Sequence, residues 1–201
     1  NIYTMLAFKL AFRNLLGAGL RTWLNVLVLS FAFVVIVFYN GMLDGWNMQA
    51  LNDTKAWEIG NGQLWHPSYD QFDPFTLQDA HAPLSKEVLD LVKAGQLSPV
   101  LITQASVYPS GRMINIVLKG IDPQQSILKL PTHLLQNDPS ALPVFIGKRM
   151  AATSKLKEGD KVLIRWRDTH GAFDAREVTI AGVFDVDVPS VDNGQFWLPL
   201  K

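Results

Sequence analysis

Hydrophobic positions along the chain fall into two regimes. From Thr22 to Leu43 (TWLNVLVLSFAFVVIVFYNGML) 22 residues pass without a charge. A helix of that length rises about 33 Å, enough to cross a hydrocarbon core of about 30 Å. The Val, Ile and Phe content that lowers helix propensity in water matters little in lipid, where the backbone must hydrogen-bond to itself. The pattern predicts a transmembrane helix over 21–45. Residues 46–57 hold good helix formers and no early breaker, which predicts that the helix continues as a stalk. Upstream, Lys9 and Arg13 are four apart and share one helical face, while apolar residues cover most of the rest. That spacing predicts an amphipathic helix over 1–20 in the inner headgroup region, its cations toward lipid phosphate. Gly17-Ala18-Gly19 supplies an elbow before the span.

Beyond the stalk the pattern shortens and alternates. Glu58 to His66 ends in a β-like Gln-Leu-Trp-His run, and 67–83, rich in Pro, Asp and aromatics, reads as an ordered loop. Ser85 is placed to cap a helix over 86–94, with Gly95 as its stop. Strands are predicted at 100–108 and 113–120 around Pro109-Ser110-Gly111. Residues 122–145 read as helical turns among prolines, and 147–156 as a further helix. An antiparallel pair follows at 161–167 and 177–187, with a last strand at 195–198. The expectation is an α+β protein: an N-terminal amphipathic and transmembrane helix, then a mixed extracytoplasmic domain over 58–201 with a β-rich subdomain.

Charge sets the orientation. Of 18 basic residues, Lys9, Arg13 and Arg21 precede the span, where no acid opposes them, and Asp44 and Asp53 follow it. The positive-inside bias places the N-terminus in the cytoplasm and residues beyond about 45 outside the cytoplasmic (inner) membrane. Trp23 at one end and Tyr39 and Trp46 at the other fall where interfacial aromatics belong, so membrane lipid is the expected surround. Asn25 and Ser30 are the polar residues available for a helix–helix contact. A cleaved signal peptide competes with this reading, but no small-x-small site follows the apolar run. Eighteen acids balance the bases overall, which speaks against a nucleic-acid partner.

Chemistry-bearing motifs fail on spacing. Gly147-Lys148 would need Gly at 142 and Ser or Thr at 149 to form a phosphate loop, and those positions are Leu142 and Arg149. His66, His81, His133 and His170 show no metal-ligand spacing, there are no cysteines, and no GxSxG elbow occurs. Asp185 and Asp187 alternate along the predicted strand, with Asp192 nearby, and read as solvated edge acids. No catalytic, cofactor or metal residues are expected, and the chain does not read as an enzyme.

Several short segments occur in a suggestive order: Gly62-Gln63-Leu64-Trp65-His66-Pro67-Ser68-Tyr69, then Lys119-Gly120-Ile121-Asp122-Pro123, then Ile146-Gly147 through Glu158-Gly159-Asp160-Lys161-Val162, then Ala181-Gly182-Val183-Phe184. Behind a basic amphipathic start and a span, this order resembles the MacB/FtsX-like ABC transporter permeases, most of all their lipoprotein-releasing branch. The resemblance implies a strand leaving the first span at 62–69, and a GxxxA…L…GDxV segment carried by Gly147, Ala151, Leu156, Gly159, Asp160 and Val162. It implies four membrane helices in the whole protein, so that this sequence is its N-terminal portion. It implies as partners a separate cytoplasmic ABC ATPase dimer and a second permease copy or paralogue, acting on lipoprotein, lipid or another envelope substrate. Without the resemblance, a single-pass anchored interaction or sensor module remains open, as does a tethered enzyme.

Overall fold

A computed structural model describes residues 2–136, 142–168 and 171–200. Its residue contacts divide the chain into two units, Asn1–Gln49 and Ala50–Lys201, which are taken separately.

The first unit is helical. Helix α1 spans Ile2–Gly17 and α2 spans Gly19–Thr54, parted at Ala18. The break is written in the backbone: Gly19 has φ +74°, a conformation that Cβ-bearing residues avoid, so the Gly-Ala-Gly elbow is real. No residue of α2 is buried. Asn40 returns its side-chain amide to the Ile36 carbonyl at 2.9 Å, and Thr54 does the same to Ala50 at 2.8 Å. These two side chains thereby find their partners within the helix.

The second unit is a closed six-stranded barrel. Strands β1 (Val100–Val107), β2 (Ile114–Ile121), β3 (Pro143–Gly147), β4 (Lys161–Arg167), β5 (Phe173–Phe184) and β6 (Gln195–Pro199) close in the order β1-β2-β6-β3-β5-β4. Two hairpins, β1/β2 and β4/β5, are antiparallel, whereas β2/β6 and β3/β5 are parallel. Helix α3 (Lys86–Lys93) starts at Ser85, whose Oγ accepts from Val88 N at 3.4 Å, and stops before Gly95 at φ +71°. Helix α4 (Lys148–Ser154) follows β3 directly, and α5 (Pro189–Asp192) precedes β6.

Two apolar layers share the β3/β6 wall. Val107, Ile116, Val144, Ile146, Ile164, Ile180 and Phe196 are among those that fill one cluster. Phe145, Trp197 and Ile121, on the opposite parity, form the second with Leu128, Leu130, Leu135 and Val191. Successive side chains of a strand point to opposite faces, so a strand buried on both faces is apolar throughout. All five residues of β3 are buried. That is why Pro143–Phe145, with no alternation, reads in sequence as helical turns and Gly147 as the start of a helix; the structure corrects both to one central strand, Pro143–Gly147.

Three further corrections concern single segments. Residues 62–66 form no strand, and Leu64 is exposed. Strand β5 begins at Phe173 and ends at Phe184, so Asp185 and Asp187 lie beyond it. Asp192 is not a solvated edge acid: its side chain is 4% exposed and holds Arg149, accepting from the backbone N and pairing with Nε, both at 3.0 Å. The glycine-marked segment after β3 has structural duties throughout. Gly159 takes φ +88°, Asp160 accepts from Lys157 N at 2.8 Å, and Leu156 and Val162 are in the core.

Gly147 is the tightest point of this segment. A Cβ there would collide with the backbone of Asp192, which cannot rotate away, whereas one on Gly182 would meet the flexible end of Leu134. Gly147→Ala should therefore cost at least about 2 kcal/mol of unfolding free energy, and Gly182→Ala clearly less. Denaturant melts of the two variants check this; equal losses would contradict the packing argument.

Candidate functional site

The site begins where the long helix ends. After Thr54 the backbone widens into a π turn over Lys55–Ile59, closed by Gly60 N donating to the Lys55 carbonyl at 2.8 Å. Gly60 takes φ +67°, which turns the chain away. A helix terminus leaves carbonyls without partners, and one is met from the barrel side: Lys129 N donates to the Ala56 carbonyl at 2.9 Å. The wider turn places Trp57 and Glu58 against the barrel wall.

Trp57 packs on the second apolar cluster and stacks on Phe184 at 6.1 Å between ring centroids. Phe184 meets Phe145 edge-on at 5.3 Å, and Phe145 stacks on Trp197 at 6.1 Å. Lys119 Nζ lies 4.9 Å over the Trp197 ring and 3.5 Å from Glu58 Oε1. The circuit thus leaves the helix end at Trp57, crosses β5, β3, β6 and β2, and returns at Glu58. Ser190 Oγ donates to the other carboxylate oxygen, Oε2, at 2.6 Å. One carboxylate thereby ties the turn to β2 and to α5.

The Lys119 and Glu58 side chains are only 10% and 21% exposed. Burial lowers the Lys119 pKa from its ordinary 10.5, while the charge and hydrogen bond of Glu58 pull it back up. Desolvation being the larger influence, this pair costs free energy to bury and is kept by its partners rather than being a simple source of stability. The aromatic–cation stack helps, since a partly desolvated ammonium over an indole face contributes about 1–2 kcal/mol.

The residues singled out from the sequence lie elsewhere. Lys9 and Arg13 are exposed on α1. Arg21, Trp23, Asn25, Ser30, Tyr39 and Trp46 are exposed along α2, and Asn25 and Ser30 are five residues apart, on different faces of the helix. None of them belongs to the clamp. Sequence reasoning missed Trp57, Glu58, Lys119 and Trp197. The one signal available was a lysine in the mostly apolar strand INIVLKGI, since a buried Lys needs a partner. Among the described residues no group of His, Asp or Glu is arranged to hold a metal ion. No protein-family model matches the chain, and no curated protein is similar to it.

The clamp makes two checkable claims. Glu58→Gln leaves a buried ammonium without its counter-charge and should cost about 1–3 kcal/mol. Lys119→Met should cost less, because Glu58 keeps Ser190 and some water. The double variant should then recover part of the Glu58→Gln loss, and additive losses in a double-mutant cycle would show the two groups to be uncoupled. In pH terms, the unfolded chain holds the Lys119 proton more tightly than the folded one. The stability due to Lys119 therefore rises as pH climbs from its lowered folded pKa toward 10.5. Lys119→Met should lose that alkaline slope in pH-dependent melts.

Proposed function

We propose that the chain is the N-terminal portion of an ABC transporter permease of the MacB/FtsX-like kind, anchored in the cytoplasmic membrane by α2. Its barrel then lies outside the cytoplasm and α1 on the inner leaflet. The observation that carries this reading is continuity: α2 runs from Gly19 to Thr54 without a break and passes directly into the clamped π turn. A displacement applied to an uninterrupted helix reaches its far end, whereas a flexible joint would absorb it.

Several features support membrane residence. The helical run Gly19–Ile59 is long and apolar enough to cross a bilayer, and its most apolar window is wholly uncovered by the rest of the chain. Such a surface requires lipid or other helices around it. Trp23 and Tyr39 are separated by about 24 Å of helix rise, and Trp23 and Trp46 by about 35 Å, which brackets a hydrocarbon core of about 30 Å. A separate cytoplasmic ABC ATPase dimer, the partner that the resemblance implies, supplies the driving motion. A second permease copy or paralogue completes the membrane unit, with a lipoprotein, lipid or other envelope substrate handled outside. A single-pass anchored interaction module is the second reading, favoured by the exposed apolar side chains of the loop after the clamp (Leu64, Phe72, Phe75).

Purification of the protein from its native membranes separates the two. Stoichiometric recovery of an ABC ATPase supports the permease; an anchored barrel recovered without one favours the module. Topology is tested independently, since the chain has no cysteine of its own. Leu64→Cys should react with a membrane-impermeant maleimide from outside, and Lys9→Cys only after lysis. Reversing Lys9, Arg13 and Arg21 to acids should disturb that orientation, and an unchanged labelling pattern would refute the charge argument. A Gly-rich insertion beside Asp53 should lower substrate-coupled activity at least about tenfold with membrane insertion intact; full coupling would count against the lever.

A further inference from the structure

A small cavity lies beside the paired ends of β1 and β2, Val100 and Ile121, between the linker that leaves α3 and the turn that begins at Asp122-Pro123. Its volume is about 80 Å³, room for two or three groups the size of water at about 30 Å³ each. Asp122, Gln124, Gln125 and Ser126 line it from the turn, and Ser98 and Pro99 from the linker. The Lys119–Pro123 segment singled out in the sequence thus brings a carboxylate to a mostly polar wall.

Bonding within that wall leaves acceptors over. Asp122 Oδ1 accepts from Gln124 N at 2.9 Å, while Oδ2 has no partner among the described residues. Asp122 is in no ion pair, and no Lys, Arg or His lines the cavity. Ser98 Oγ is buried without a hydrogen-bond partner. The Gln125 amide, by contrast, is fully used: Nε2 donates to the Leu128 carbonyl at 3.0 Å, and Oε1 accepts from Ile127 N and Leu128 N, both at 2.8 Å. It makes one side of the cavity rigid. Among the described residues no hydrogen bond joins the linker 95–99 to the turn 122–127. Helix α3, which the linker follows, has no buried residue.

We propose that this cavity binds the head of a small primary alkylammonium ion, which bridges linker and turn and so fastens α3 to the barrel. A carboxylate without a counter-charge attracts a cation and repels an anion. A divalent metal ion takes about six or more oxygen ligands, and a single carboxylate beside neutral groups does not supply them. An ammonium offers three donors and no acceptor. They match Asp122 Oδ2, the side-chain oxygen of Gln124 or Ser126, and Ser98 Oγ, which holds no bond that would prevent its rotation about χ1 toward the occupant. A guanidinium spreads more donors over a plane than this wall has open acceptors. The site is separate from the clamp and stands independently of the transport reading.

The experiment uses the full chain in detergent, labelled with ¹⁵N at serine and glutamine and titrated with methylammonium chloride at constant ionic strength. The amide signals of Ser98, Gln124, Gln125 and Ser126 should shift and saturate. Tetramethylammonium has the same charge and no N–H donor, and should leave them in place. Equal shifts with both cations, or none with either, overturn the proposal. Asp122→Asn keeps the Oδ1 acceptor for Gln124 N and should weaken methylammonium binding at least about tenfold; undiminished affinity overturns the assignment of Asp122. Ser98→Ala removes a buried unpaired hydroxyl, so the melting temperature of the free chain should hold or rise while affinity falls about threefold or more. A free amine and a lysine side chain present the same head, and Nα-acetyl-lysine amide separates them: weaker binding than methylammonium identifies the free amine, tighter binding the side chain. Hydrogen exchange of the α3 amides should slow on saturation with methylammonium, and an unchanged rate overturns the fastening role.

Discussion

One junction constrains the rest of the molecule: the end of a long apolar helix has to be fastened to a sheet. A helix that stops in an α turn leaves bare carbonyls and a ring of side chains set by its own period, not by the sheet. The π turn at Lys55–Ile59 changes that period locally. Two consecutive residues, Trp57 and Glu58, then serve as one apolar and one charged attachment. The apolar one joins a cluster already present on the wall, and the charged one meets Lys119 and Ser190.

The barrel is built to receive this attachment. A closed barrel normally covers only its interior, yet β3 and β6 are buried on both faces. The second face is covered by the segment around Leu128–Leu135, by α5 and by Trp57. Holding the layers together demands close approaches that side chains would prevent, which is the office of Gly147 against Asp192. Of the residues that carry the permease resemblance, Gly147, Leu156 and Val162 answer to this packing, and Gly159 and Asp160 to the turn before β4. In this chain such a motif records a way of folding.

How far the sequence reveals this depends on whether each element depends on near or distant residues. The long apolar helix, the elbow, the Ser85-capped helix and both hairpins are local: their signals lie within a few residues of the structure they specify. Strand β3 is not. Pro143–Gly147 has neither alternation nor turn residues inside it, and becomes a strand because β5 and β6 flank it. The Gln-Leu-Trp-His run errs in the other direction, β-like in composition but without a neighbouring strand to pair with. The clamp was least legible, because Glu58 and Lys119 are separated by two elements and a long loop. Their approach follows from barrel closure, which no short window contains.

That a charged pair occupies the junction, where apolar residues would cost less to bury, bears on what the junction does. Apolar contacts alone hold surfaces together but tolerate sliding and rotation, since dispersion is indifferent to small changes of partner. A carboxylate that must face one ammonium and one hydroxyl accepts a single register. Desolvation makes any other register expensive, because it would leave Lys119 buried and unpaired. The pair therefore trades some stability for definition of angle and phase between the helix end and the barrel wall. A static tether gains nothing from such definition, whereas an element that passes on rotation or thrust requires it. The lever proposed above depends on that definition.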